Sequence, residues 1–275
     1  MGFLDRFKKK KDSRSPEKTA SPAPEKTGAP QTDEYTPGGS AVYRYQTPEN
    51  QGFRPPEDVC VSMEAIEKHM EGIFPGWGGF VYHEIVSDLV HIDVHVLREP
   101  EGDGYVLYTT GMSDLPMHLP EEISDREDLK YAELYMILPG DWNVGEEGQN
   151  SQEMPYESFW PFQLLKFLAR FPHEYQTWLG WGHTIPNGPD YAPICDGLGF
   201  GGAVLTELSL IPPLETEDGK KISFYMVVPA YKEEIEYKLK YGMEKLGERF
   251  MENKRPMMLD IHRPNCCADF HEVLD

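Results

Sequence analysis

Hydrophobic side chains return at three- and four-residue steps in two clear stretches of the chain. Met63, Ile66, Met70 and Phe74 do so behind Ser62 and ahead of the pair Pro75-Gly76; the spacing predicts a helix over about 62–74, capped by Ser62 and buried on one face. Leu164, Leu165, Leu168 and Phe171 form a second stripe. That helix is expected to begin at Ser158, to tolerate Pro161 in its first turn, where no intrahelical donor is needed, and to end at Pro172. A third, long helix is expected over about 232–252, with Glu234–Lys238 and Glu236–Lys240 as i,i+4 ion pairs in the favourable order.

Short β-rich runs fill the intervals. Four of them, at 80–86, 89–97, 105–110 and 132–138, are separated by acidic and glycine-rich turns such as Glu101-Gly102-Asp103-Gly104, which reads most simply as an antiparallel meander. Two more fit 203–210 and 222–228, joined by a turn at 215–220. Strands interrupted by a few helices, without regular βαβ alternation, imply an α+β domain: a mixed, largely antiparallel sheet with a few packed helices. There is no internal repeat, and 275 residues suffice for one sizeable core.

Composition divides this picture at the N-terminus. Residues 13–40 consist of Ser, Pro, Thr, Gly, Ala and charged side chains with Tyr35 as the one aromatic, too little apolar surface to offset the entropy of ordering. The expected organisation is therefore a disordered basic tip and linker over 1–55 and a folded domain over 56–275. Charge is segregated the same way. The first 55 residues hold ten bases and seven acids, and the remaining 220 hold 16 bases and 40 acids, so the domain carries −24 and the N-terminal stretch +3 of the total −21. Such a domain repels phosphate backbones, and no nucleic-acid partner is expected. No apolar run is long enough to span a bilayer, and the first residues carry no secretory run, so the expected location is the cytoplasm. Phe3, Leu4 and Phe7 followed by Lys8–Lys11 would suit weak contact with an anionic surface, or serve only as a solvated basic tail. A myristoyl signal is missing, since Arg6 occupies the position that needs Ser or Thr.

Candidate chemistry is sparse. Cys60, Cys195, Cys266 and Cys267 contain no C-x-x-C pair and are read as reduced thiols. His91, Asp93 and His95 alternate along one predicted strand and could ligate zinc or iron, but a polar strand face opposite Ile92, Val94 and Val96 accounts for the same letters, and no metal or cofactor is assigned. Gly197-Leu198-Gly199-Phe200-Gly201-Gly202 matches G-x-G-x-x-G literally, yet a strand rather than a helix is expected after it. G-x-S-x-G and H-E-x-x-H are absent; Cys195 with His183 could form a nucleophile and base pair, but an inert thiol accounts for the same letters and is the reading preferred. The densest run of unusual residues is 171–188, with Trp178, Trp181, His183 and Asn187 among glycines; such a run serves either as core or as a rigid contact surface.

Several of these segments occur together in a known order. Thr110-Gly111-Met112-Ser113-Asp114-Leu115-Pro116-Met117 is followed by Tyr131-Ala132-Glu133-Leu134-Tyr135-Met136-Ile137-Leu138-Pro139. Trp160-Pro161, Leu164-Leu165 and Leu168-Ala169-Arg170 come next, then Trp181-Gly182-His183-Thr184 and Pro186-Asn187-Gly188. The arrangement resembles the Suppressor of fused domain over about 59–265, in its bacterial form. Animal members are non-enzymatic binders that sequester zinc-finger transcription factors by holding a short peptide as an added strand between two lobes. The present sequence stops soon after His262-Arg263-Pro264-Asn265, so a two-lobed clamp is not expected. The bacterial resemblance implies an immunity or antitoxin role, and the family offers no catalytic residues.

The resulting expectation is a cytoplasmic, non-catalytic protein-binding module with a protein partner, such as a toxin domain. Its expected contact residues are Ser113, Asp114, Leu115, Met117, Trp178, Trp181, His183 and Asn187. The alternative is a hydrolytic or metal-dependent enzyme using His91, Asp93, His95 or His183.

Overall fold

The computed structural model describes residues 32, 34–45, 52–57, 59–150, 153–207 and 210–270. The basic tip and most of the Ser/Pro-rich stretch lie outside them. Of the expected linker, residues 34–45 lie against the domain: Tyr35 bridges Ala41, the Gly38 amide donates to the Leu239 carbonyl at 3.0 Å, and the Tyr45 ring meets Phe171 edge-on at 5.2 Å.

The elements run α1 (Met63–Ile73), β1 (Gly78–Tyr82), β2 (Asp93–Arg98), β3 (Gly104–Thr110), β4 (Tyr131–Pro139), α2 (Tyr156–Glu174), β5 (Thr184–Pro186), β6 (Phe200–Thr206), β7 (Leu214–Glu215), β8 (Lys221–Tyr231), α3 (Lys232–Tyr241) and α4 (Met243–Glu252). They form one mixed sheet in the order β1-β2-β3-β4-β8-β6-β5, with β7 paired to β8. The meander over β1 to β4 is antiparallel as expected, whereas β8 lies parallel to β4, with Tyr131 opposite Ile222.

Both faces of the sheet are covered. Leu107, Leu134, Met136 and Val227 pack with Phe162, Leu165 and Leu168 of α2. The alternate positions Val106, Tyr108, Tyr135 and Phe224 pack with Ile66 of α1, Ile235 of α3 and Leu246 of α4. This is why β3 and β6 are buried at every position rather than at every second one.

Four local expectations are corrected. The helix expected over 232–252 is two helices, because Gly242 (φ 89°, ψ 166°) has a backbone conformation open to glycine and not to a helix. The expected Glu234–Lys238 pair gives way to other partners: Glu234 pairs with Arg263 and Lys238 donates to Ser40 Oγ, while Glu236 faces Lys232. The second helix begins at Tyr156 and runs to Glu174, so Pro161 lies in its second turn and Pro172 in its last, both among buried residues. Tertiary burial of the stripe outweighs the missing backbone donors. Ser62 flanks α1 without capping it through its side chain, which accepts a hydrogen bond from Lys220 instead.

Candidate functional site

Strands β1 and β3 end, and β2, β4 and β8 begin, at the same end of the sheet. The connections there carry most of the polar residues singled out in the sequence.

The turn at Met112–Asp114 is held from inside by Glu133, which is 0% exposed in β4. Its carboxylate accepts the Ser113 amide at 2.9 Å, the Ser113 hydroxyl at 2.7 Å and the Thr109 hydroxyl at 2.6 Å. Burial pushes its pKa up to about 7, against the pull of those donors. Asp114 reaches the other way and accepts the amides of Cys60 at 2.8 Å and Ser62 at 3.4 Å, tying the start of α1 to the turn. Lys220 Nζ donates to Ser62 Oγ at 2.9 Å and to the Ser113 carbonyl at 3.1 Å.

The same connection meets the aromatic run. The His118 amide donates to the Thr177 carbonyl at 2.9 Å, and the Leu179 amide lies 3.4 Å from Met117 Sδ. The two halves of the expected contact surface are therefore neighbours. Their side chains differ in what they present. Ser113, Met117 and Asn187 are buried; Asn187 Nδ2 clasps a loop through the carbonyls of Ala192 at 2.9 Å and Pro193 at 3.0 Å. Asp114, Leu115, Trp178 and His183 are half-buried. Trp181 is 50% exposed. Trp178 and His183 meet edge-on at 4.3 Å, and burial depresses the His183 pKa to about 4.

The β1–β2 connection holds the histidines. His91 precedes β2, so the alternation argument applies only to Asp93 and His95. Neither belongs to a solvated face, because α1 lies over that side of β2: Asp93 is 1% and His95 3% exposed. His95 stacks on Tyr108, with Nε2 2.9 Å from Thr110 Oγ1 and Nδ1 3.7 Å from Glu67 of α1. Burial depresses its pKa to about 4. Asp93 turns toward the loop. One oxygen lies 2.9 Å from His83 Nδ1; the other lies 2.9 Å from His91 Nε2 and accepts the Glu84 amide at 2.8 Å. Burial acts to raise its pKa, but the Glu84 amide and the two imidazoles hold it below the usual carboxylate range. Arg170 of α2 fixes the loop, with Nη2 2.7 and 2.6 Å from the Glu84 oxygens and 3.2 Å from the Val90 carbonyl.

Cys60 joins this group. Its sulfur, a ring nitrogen of His91 and a carboxylate oxygen of Asp93 all lie within 4.8 Å of one another. Sequence spacing pointed to His91, Asp93 and His95; the structure keeps the first two, sends His95 to Tyr108 and Thr110, and adds Cys60. No local signal marks Cys60, since it reaches the others only through the Asp114 contact. Among the described residues, no cysteine is in a disulfide. The second half of the G-x-G-x-x-G run, residues 200–202, already lies in strand β6, so the run lacks the helix N-terminus a phosphate site needs. Among the described residues no helix is long and apolar enough to cross a membrane.

No curated protein sequence matches the chain significantly. In structure it is similar to a chain of the Sufu-Fu complex crystal structure, at 13% identity and a TM-score of 0.53, over 81% of this chain and 100% of that one. It is also similar to Drosophila Suppressor of Fused, at 13% identity and a TM-score of 0.49, over 78% of this chain and 52% of that one. The family model for Suppressor of fused protein matches residues 88–264, a span that takes in β2 to α4, both loops of the expected contact surface and Arg263. Since that match covers more than half of the 275 residues, the chain belongs to the Suppressor of fused family.

Proposed function

We propose that this protein is a non-catalytic protein-binding module that acts as an immunity protein in the cytoplasm, sequestering a toxin-domain partner. The family match over 88–264 carries the reading, together with a structural neighbour described as a complex of Sufu with Fu. The meeting of the 113–118 and 177–183 loops supports a contact surface there. Trp181 is exposed on the loop that also carries the half-buried Trp178 and His183, and the hydrogen bond from the His118 amide to the Thr177 carbonyl restrains the two loops, which lowers the ordering cost of association. The negative balance of residues 56–275 suits a basic partner surface and would speed encounter at low salt.

The full chain, recovered from its native cells at low salt, should bring down one protein in stoichiometric amount. Trp181→Ala should weaken that complex roughly tenfold or more while leaving the melting temperature in place. Co-expression should restore growth that the partner alone abolishes. Failure to recover any partner at low salt would overturn the binding role, and a partner harmless to cells would overturn the immunity role alone.

A further inference from the structure

We propose that Cys60, His91 and Asp93 form a binding site for one divalent metal ion of the zinc class, joining the segment ahead of α1 to the β1–β2 loop. The site is independent of the protein-binding role.

The donor set selects the ion. A sulfur, an imidazole nitrogen and a carboxylate oxygen suit zinc, whereas calcium and magnesium take oxygen ligands and disfavour sulfur. Tetrahedral zinc bonds of about 2.0–2.3 Å place ligand atoms about 3.3–3.6 Å apart. Here the three atoms lie within 4.8 Å of one another, and His91 Nε2 is 2.9 Å from Asp93 Oδ1. Small side-chain rotations close the first separation and open the second, without movement of the strand.

The surrounding shell is the one such a site needs. Without the ion, His91 Nε2–H donates to Asp93 Oδ1 at 2.9 Å; ion binding shifts that proton to Nδ1, where Ser87 Oγ at 2.7 Å accepts it, and frees the Nε2 lone pair for the metal. Asp93 is fixed by the Glu84 amide and by His83 on its second oxygen. The Cys60 backbone is fixed by Asp114. Cys60 is half-buried and His91 is 17% exposed at the side chain, which leaves the ion a route from solvent. Binding breaks the thiol S–H bond, releases that proton to water and forms a metal–thiolate bond with no change of oxidation state; thiolate, carboxylate and divalent ion then sum to zero charge. Nearby cations are committed elsewhere, Arg170 to Glu84 and Lys166 to the Tyr82 carbonyl at 3.5 Å. His91 and Asp93 lie within the family match, and Cys60 and His83 lie ahead of it.

The full chain, stripped with chelator and titrated with Co²⁺, tests this. It should develop a near-ultraviolet thiolate-to-cobalt band with visible bands of tetrahedral strength, saturating at one equivalent and bleached by Zn²⁺. Cys60→Ser should remove the thiolate band, and His91→Gln should weaken Zn²⁺ binding roughly tenfold or more. Cys195→Ser, which removes a buried thiol elsewhere, should change neither, with circular dichroism confirming the fold of each variant. Absence of the band in the folded parent, its survival in Cys60→Ser, or unchanged Zn²⁺ affinity in His91→Gln would overturn the proposal.

Discussion

Arg263 and Glu234 grip one another through two parallel hydrogen bonds of 2.6 Å, with side chains 4% and 0% exposed. Glu234 also accepts the amides of Tyr231 and Cys266, each at 3.0 Å. Arg263 donates to the Pro229 carbonyl at 2.9 Å and lies over the rings of Phe200 and Tyr231 at 5.1 and 5.0 Å. One buried pair thus joins the end of β8, the start of α3 and the C-terminal segment.

Removing one partner leaves the other charge buried. Arg263→Met should destabilise the fold by about 3–5 kcal/mol in urea unfolding, while the double variant Arg263→Met with Glu234→Leu should recover much of the loss. A double variant no better than the single would show that the pair acts mainly through its contacts with Cys266 and Pro229.

Glu133 makes stability fall with rising pH. Its pKa is raised from an ordinary 4.5 to about 7 in the fold. Between those values the folded chain holds a proton that the unfolded chain has lost. Its contribution is therefore complete below pH 4.5 and lost as pH rises through 7, on the order of 3 kcal/mol. Glu133→Gln should shrink the difference between urea midpoints at pH 5 and pH 8.

His95 and His173 act in the opposite sense. Burial depresses both from an ordinary 6.5 to about 4. Below pH 6.5 the unfolded chain binds protons that the folded one refuses, so their contribution is present above 6.5 and lost as pH falls toward 4. His173 has Nε2 2.9 Å from the Met112 carbonyl. Replacing His95 with Gln should make the stability profile between pH 6.5 and 4 shallower, as read from unfolding midpoints across that range.

Gly111 should be intolerant of any side chain. Its φ is +102°, and a Cβ there would stand 1.8 Å from the His91 carbonyl oxygen. Gly111→Ala should cost about 2–4 kcal/mol by chemical unfolding. Because the clash displaces His91, the same variant should weaken Zn²⁺ binding, whereas Gly148→Ala, at a positive φ with open space, should strain only its own turn.

Hydrophobic spacing determined where α1 and the α2 stripe fall, and alternating runs with turn residues placed the four strands of the meander. Charge segregation set apart the N-terminal stretch, and the ordered motifs from Thr110 to Gly188 were enough for the family resemblance. These features are local: a helix face or strand face is written at fixed steps along the chain. Contacts between distant segments are not. The cover over both sheet faces turned Asp93 and His95 from surface into interior, Gly242 divided one helix into two, and Arg263 took Glu234 from Lys238. Ser113, Met117 and Asn187 became frame rather than surface for the same reason. Cys60 meets His91 and Asp93 only after Asp114 draws the segment before α1 onto the turn that follows β3. Periodicity tells which side of an element faces inward, but which residues meet there is decided when the elements pack.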